Sequence, residues 1–374
     1  LLYTEYSGGY GNRRDTASLL NEIRYDQYGA NQWATRVVFV TAAPSRPQPG
    51  DVPFFGPEGQ LNRIEVWHLG QRVSYYDLGY SVYPPLASYP WEGETRELTA
   101  IRQYSGDGSQ SLPATTFSYV ALPNKDADLT CDPYSDPQCW YRRVQFHYPR
   151  LAVVANGYGG RTEFSYASDG RKDSDRLYQN YRVTQQRVYD GIHPTPAILN
   201  YAYGTRCYDQ TGSAAGATLC PSWTTAELVG PLAGHQQVTV RSLDYDGTLL
   251  GKTVHDYHAD AGYSLWWRQG RELRRRSYRG ESELHVQQDT TWSVSDFPVA
   301  APVARFTYAS EATTTVYGYV GDSGRSTRQV DQYSAGEQGG EQYGLLTRSE
   351  IYDEGNVRQR IAVTAYVVNP AQWV

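Results

Sequence analysis

The stretch DYDGTLLGKTVHDYH (244–258) sets three aspartates, two glycines and two histidines close enough in sequence to suggest a divalent-cation site. An EF-hand loop needs a glycine at its sixth position and a glutamate at its twelfth. Counted from Asp244 those positions hold Leu249 and His255, so the calcium reading fails. What remains is an Asp246-Gly247 corner between runs of Leu, Thr and Val, which predicts a two-residue hairpin with Tyr245 on the strand before it. On such a strand His255 shares a face with Tyr257 while His258 points to the other, so the two imidazoles do not form a chelating pair. His68, His147, His193, His235 and His285 are scattered and read as polar strand positions.

Other catalytic patterns are equally thin. There is no Gly-x-Ser-x-Gly elbow, and GYGG (157–160) lacks the Lys-Ser/Thr of a phosphate loop. PWEGETRE (90–97) and SAGEQGGEQY (334–343) are rich in carboxylates but read as solvated loops, and no pair is singled out for glycoside hydrolysis. The expectation is a protein without a catalytic site, metal or cofactor. The four cysteines form two local pairs, Cys131 with Cys139 and Cys207 with Cys220, each bracketing a polar loop. Neither has the tight spacing of a zinc knuckle. Two short disulfides are expected, and with them a secreted or extracellular destination.

The elements that would carry these residues follow from composition. Among 374 residues, 34 Tyr outnumber 8 Phe and 9 Trp, Met is absent, and 35 Gly and 20 Pro interrupt the chain often. Tyr favours strands with a half-wet face, so many short antiparallel strands and almost no helix are expected. A hydrophobic content of 40% is ample for a sizeable core. A net charge of −6 argues against a nucleic-acid partner, and RELRRRSYR (271–279) reads as the solvent face of a strand. No apolar run is long enough to span a membrane. The start at Leu1, without Met or a signal sequence, suggests a piece of a longer polypeptide.

Period-two alternation marks strands at RRVQFHY (142–148), QVTVRSL (237–243) and QRIAVTAYVV (359–368). Turn signals fall at SGDGS (105–109), ASDGR (167–171), DYDGT (244–248), GDSGR (321–325) and DEGN (353–356). TASLLNEI (16–23) could be a short helix or a strand. Tyr-Asp recurs at Tyr25-Asp26, Tyr76-Asp77, Tyr189-Asp190, Tyr208-Asp209 and Tyr352-Asp353, and as Tyr166 to Asp169. In each, Tyr is expected to end a strand and Asp to close the turn. The spacing is irregular, so no strict solenoid is implied.

The segments LNRIEVWHLGQRVSYYDLGYSVYPP (61–85) and RELTAIRQYSGDGSQSLPATTFSYV (96–120) resemble wall segments of Rhs and YD-repeat proteins, especially the B component of Tc toxin complexes and SpvB-like proteins. The resemblance rests on Tyr76, Leu78 and Tyr80, on Gly106-Asp107-Gly108, and on Phe117 and Tyr119. It continues through Gly157, Gly159 and Gly160 of an Asn-Gly-x-Gly-Gly strand starter, Gly247 of a hairpin and Trp292 of a closing strand. It implies an all-β fold, a long curling antiparallel sheet of hairpins that forms part of a hollow shell, with 1–374 as one fragment and a sub-boundary near 121–141. The implied role is structural: to enclose a C-terminal toxin polypeptide, with the remaining repeats of a longer chain as partners. The named residues are then strand and turn positions that shape the wall. Asp132-Pro133 and Asp136-Pro137 lack the glycine context of the family's self-cleaving core and read as turn formers. The alternative is an extracellular, propeller-like module whose exposed Tyr and Trp bind carbohydrate or protein.

Overall fold

The computed structural model describes residues 2–10, 13–29, 32–42, 60–83, 95–125, 146–168, 181–204, 207–208, 218–219, 235–258, 268, 270–296, 305–319, 321–333 and 346–365. Every regular element among them is a β-strand. The candidate helix at 16–23 lies inside a long strand, where Leu19 and Leu20 take cross-strand partners. The Cys131–Cys139 pair, Cys220 and both Asp-Pro pairs lie outside the described residues.

The chain divides into two compact units, Leu1–Ser165 with Gln186–Pro196, and Tyr166–Gln185 with Ala197–Val374. The first carries β1 (Leu2–Tyr10), β2 (Arg13–Gly29), β3 (Gln32–Ala42), β4 (Gln60–His68), β5 (Gln71–Tyr83), β6 (Thr95–Ser105), β7 (Thr115–Lys125) and β8 (Phe146–Ala155). Each strand pairs antiparallel with the next. β9 (Arg161–Ser168) and β10 (Tyr181–Tyr189) each run across the division. This run does not break after four strands, as propeller blades would.

The second unit repeats the scheme with β11 (Ala197–Tyr203), β14 (Gln237–Leu243), β15 (Leu249–Tyr257), β16 (Glu272–Arg279), β17 (Glu283–Asp296), β18 (Arg305–Val316), β19 (Arg325–Tyr333), β20 (Leu346–Tyr352) and β21 (Arg358–Val363). These too are antiparallel neighbours in that order. Between β11 and β14 lie β12 (Cys207–Tyr208) and β13 (Thr218–Leu219), which pair parallel, Cys207 opposite Thr218. The loop that the second cysteine pair brackets is therefore closed by a parallel rung and not by a hairpin.

The sizeable core expected from composition is not what the strands build. Among the described hydrophobic residues only Tyr75 and Val254 are buried; most others are half-exposed. Among the described residues, cross-strand side-chain pairs are the main packing that holds the sheet. Alternation sorts the first unit cleanly. Ile64 and Val66 lie on one face of β4 with Tyr76 and Leu78 of β5. Arg63, Glu65 and Trp67 share the other with Tyr75 and Asp77.

From β3 to β11 connections alternate in length, with short turns at 69–70, 106–114, 156–160 and 190–196 and longer links at 43–59, 84–94, 126–145 and 169–180; in the second unit turns fall at 244–248, 280–282, 317–324 and 353–357. The Asp244–Thr248 corner corrects the two-residue hairpin. Gly247 N–H donates to the Asp244 carbonyl (2.9 Å) and Asp244 N–H to the Thr248 carbonyl (2.8 Å), so Tyr245, Asp246 and Gly247 form a three-residue loop and Tyr245 sits in the turn. Gly247 has φ 84, the left-handed position that such a loop needs. Among the described residues a two-residue turn is found at Leu69-Gly70, with φ 47 and 81. Tyr76-Asp77 also departs from expectation, since it lies in the middle of β5. Tyr189-Asp190 and Tyr352-Asp353 do end strands, with Asp190 and Asp353 accepting from backbone N–H groups of their turns.

Candidate functional site

Several of the positions singled out by resemblance perform one repeated task. The Tyr80 hydroxyl donates to the Leu61 carbonyl (2.7 Å), Tyr119 to Leu98 (2.8 Å) and Trp292 Nε1 to Glu272 (2.8 Å). Tyr203, not anticipated, does the same to Val183 (2.7 Å). In every case a ring reaches back to a carbonyl near the start of the preceding strand, 19 to 21 positions earlier. Opposite Tyr80, Tyr119 and Trp292 the next strand carries an extra residue, Thr99, Ala152 and Ser310, so each ring residue lies across from a β-bulge of its neighbour. A bulge bends the strand that carries it and sharpens the local twist of the pair, and one recurs beside three of the four latches. Burial pushes the Tyr80 and Tyr119 phenols up from the ordinary value, so both remain donors at any physiological pH.

The other named positions lie on strands and turns. Tyr76 faces Ile64, Leu78 faces Ile101 and Phe117 faces Val154 across neighbouring strands. Asn156 Oδ1 accepts from the N–H groups of Tyr158 (2.9 Å) and Gly160 (3.0 Å), so Gly157, Gly159 and Gly160 form the tight turn that launches β9. A Cβ on Gly157, at φ 75, would meet the Ala114 carbonyl at 2.8 Å.

The second feature is a charged and aromatic face that sequence reading did not assemble. In the first unit Arg24 bonds Glu22 (2.9 Å), Arg36 lies over Trp67 (4.6 Å to the ring centre), and Glu65 takes the Trp67 indole (3.0 Å) and Arg72 (2.9 Å). Tyr75 sits between Arg63 and Arg72, each 4.4 Å from its ring centre, and stacks on Tyr104 at 4.8 Å. Arg63 continues to Asp77 (2.6 Å). In the second unit Asp256 accepts from Gln237 (2.8 Å) and Arg276 (2.7 Å).

Among the described residues the most enclosed carboxylate is Glu350 of β20. It accepts from Arg348 (2.6 Å), Tyr352 (2.7 Å) and Arg358 (2.9 Å), while Arg328 covers the Tyr352 ring at 4.4 Å. These donors, Arg348 first, hold its carboxyl down at about 2. Asp107 is likewise held at about 2, by the Ser105 hydroxyl and then by the Ser109 N–H and hydroxyl. Carboxylates fixed in this way are committed acceptors, unsuited to donating or shuttling a proton near neutrality. His255 stacks with Tyr257 (6.3 Å between ring centres) and lies 3.5 Å from Glu272. Among the described residues no group of three or more His, Cys, Asp or Glu could hold a metal, and no helix is long and apolar enough to cross a membrane.

No family model matches the chain, and no curated protein does. Among solved structures it is similar to TcdB2-TccC3 without its hypervariable C-terminal region, at 10% identity and TM-score 0.39, over 90% of this chain and 21% of that one. It is also similar to TcdB2-TccC3 (9% identity, TM-score 0.40, 89% of this chain and 20% of that one) and to TcdB2-TccC3-Cdc42 (8%, 0.40, 98% and 26%). The chain spans about a fifth to a quarter of the length of these structures.

Proposed function

We propose that the chain is a stretch of wall from an Rhs/Tc-type β-shell, a non-enzymatic segment of a secreted protein that helps to enclose a C-terminal toxin or effector polypeptide. The observation that carries this reading is the repeated ring-to-carbonyl latch, at Tyr80, Tyr119, Tyr203 and Trp292, on a meander built of hairpins. A latch at constant reach allows a sheet to extend by identical steps, as a wall requires and a compact catalytic domain does not. The fixed ionisation of Glu350 and Asp107 supports a structural role for the polar residues as well. The remaining repeats of a longer chain would be its lateral partners.

The test is protease protection in the full-length polypeptide. With the wall intact, the segment C-terminal to the repeats resists digestion; a Tyr80→Ala/Tyr119→Ala variant exposes it. Equal digestion of that segment in both forms would count against enclosure. Activity lost on a conservative carboxylate or histidine substitution, at unchanged melting temperature, would instead place an enzyme in this stretch.

A further inference from the structure

In three hairpins the latched carbonyl stands where the two strands part. The last hairpin pair is Arg63 with Asp77, Ala100 with Thr116 and Arg274 with Asp289. One residue earlier in the chain, Asn62, Thr99 and Leu273 are each the extra residue of a bulge against the strand on the other side. One residue earlier again, Leu61, Leu98 and Glu272 hold the latched carbonyls. A bulge bends its strand and can end pairing. Each first strand therefore leaves its hairpin partner at the bulge, and a ring crosses the opening.

Of the three openings, that between β6 and β7 leaves the longest edge. Continued past Ala100 and Thr116, the register would set Leu98 opposite Ser118 and Glu97 opposite Tyr119, but neither pair forms. β6 stays paired with β5 down to Thr95, and β7 with β8 up to Lys125. Among the described residues, the side of β7 that faces β6 thus has no ladder partner from Phe117 to Lys125, and an unpaired strand edge is a template for another strand. Glu97 stands beside this edge. It closes PWEGETRE (90–97), which reads as a solvated loop, yet it lies within β6 with Oε1 buried and unpaired. Its Oε2 accepts from the Ser81 hydroxyl at 3.4 Å. A buried carboxylate oxygen without a donor is costly, and a cation relieves it. Arg102 does not: it lies opposite Asp77, five residues along β6 from Glu97, roughly 16 Å at the rise of a strand. Burial and then the charge of Glu97 push the Tyr119 phenol up, which sets the carboxylate close to the ring that crosses the opening.

We propose that the opening between β6 and β7 is a docking slot for an extended polypeptide strand, which pairs with the free edge of β7 and sets a Lys or Arg against Glu97. Strand addition supplies affinity through main-chain hydrogen bonds, and side chains beside the edge supply selectivity. The edge lies inside a sheet, between the two strands of one hairpin, so a single extended segment can enter where a folded second copy cannot. An anionic lipid surface recruits cations, not a carboxylate. The inference stands whether or not the sheet is part of a shell.

The experiment uses the folded 374-residue chain and a fluorescein-labelled peptide of alternating Thr and Val with a central Lys, read by anisotropy. Two controls stand beside it: the same peptide with Glu for Lys, and one that keeps the Lys but carries Pro at alternate positions, where the N–H donors are lost. The Lys peptide is expected to bind, to slow hydrogen exchange at Phe117–Leu122, and to bind the Glu97→Gln variant about tenfold more weakly. Equal binding of the Pro peptide would show mere attraction to the net charge of −6 and overturn the proposal, even should Glu97→Gln not fold. Equal binding of the Glu peptide, unchanged affinity in Glu97→Gln, or protection confined to other strands would overturn it too. So would failure of the Lys peptide to bind, or a dimer of the chain that Glu97→Gln dissolves, since that would assign the edge to a second copy.

Discussion

The Tyr119 hydroxyl donates to the Leu98 carbonyl at 2.8 Å, across a strand boundary and opposite a bulge at Ala152 of β8. Removing only the hydroxyl, in Tyr119→Phe, keeps the ring packing and leaves a strand-end carbonyl without its donor. The expected loss is about 1 kcal/mol of unfolding free energy in urea titration. Tyr25→Phe, at a residue 48% exposed, should change stability by less than about 0.5 kcal/mol. Equal effects of the two would remove the latch as a stabilising device.

Glycines at the turns should not be equivalent. Gly247 has φ 84 and only open space where a Cβ would stand, so Gly247→Ala costs only the left-handed backbone, about 1 to 2 kcal/mol. Gly157 adds a clash with Pro113 and with the Ala114 carbonyl, which raises the cost of Gly157→Ala by about another 1 to 3 kcal/mol. Thermal denaturation of the two variants ranks them.

Leu69 offers the opposite sign. Its turn has positive φ at both central positions, the geometry that Asn-Gly fills best. Leu69→Asn is expected to raise stability by about 0.5 to 1 kcal/mol, seen as a higher melting temperature. A lower melting temperature would mean that the leucine is held by packing within the sheet.

Acid sensitivity follows from Glu350. Its carboxyl is held at about 2 in the folded chain, below its ordinary value, so its contribution to stability is fully present above that ordinary value, about 4.3. It is lost as pH falls from there through about 2, as the carboxylate takes up its proton. Glu350→Gln should flatten the fall of melting temperature across this interval. A variant whose melting temperature keeps the same pH slope would deny Glu350 that role.

For the cysteines, mass spectrometry of a non-reduced digest should recover Cys131 joined to Cys139 and Cys207 joined to Cys220, as expected when each pair closes a short polar loop. Crossed pairs, or four free thiols in protein taken from an oxidising compartment, would overturn that pairing.

Much of the strand pattern was legible because alternation survives wherever no bulge intervenes: QVTVRSL coincides with β14. The turn at Asp244 was legible as a corner but not in its length, since the extra residue is fixed by hydrogen bonds of Asp244 with Gly247 and Thr248 that no local pattern announces. Tyr76-Asp77 misled because the same dipeptide that closes a turn at Tyr352-Asp353 can serve mid-strand when Asp77 finds Arg63 on the neighbouring strand. The latches stayed hidden for a related reason. Tyr80 and Tyr119 stood out as family-like positions, yet their acceptors are main-chain carbonyls with no residue-type signature, and the bulges opposite them lie on the next strands.

The alternation of short turns with long links from β3 to β11 also constrains how such a chain can change over evolutionary time. Inserting a single strand would reverse the direction of every strand after it within its unit and send short turns to the end where long links had been. Duplication or loss of two strands together leaves that parity intact. Lineages related to this chain should therefore differ by whole hairpins, with variation in length concentrated in links such as 43–59 and 126–145 and with turns such as Leu69-Gly70 kept at fixed size.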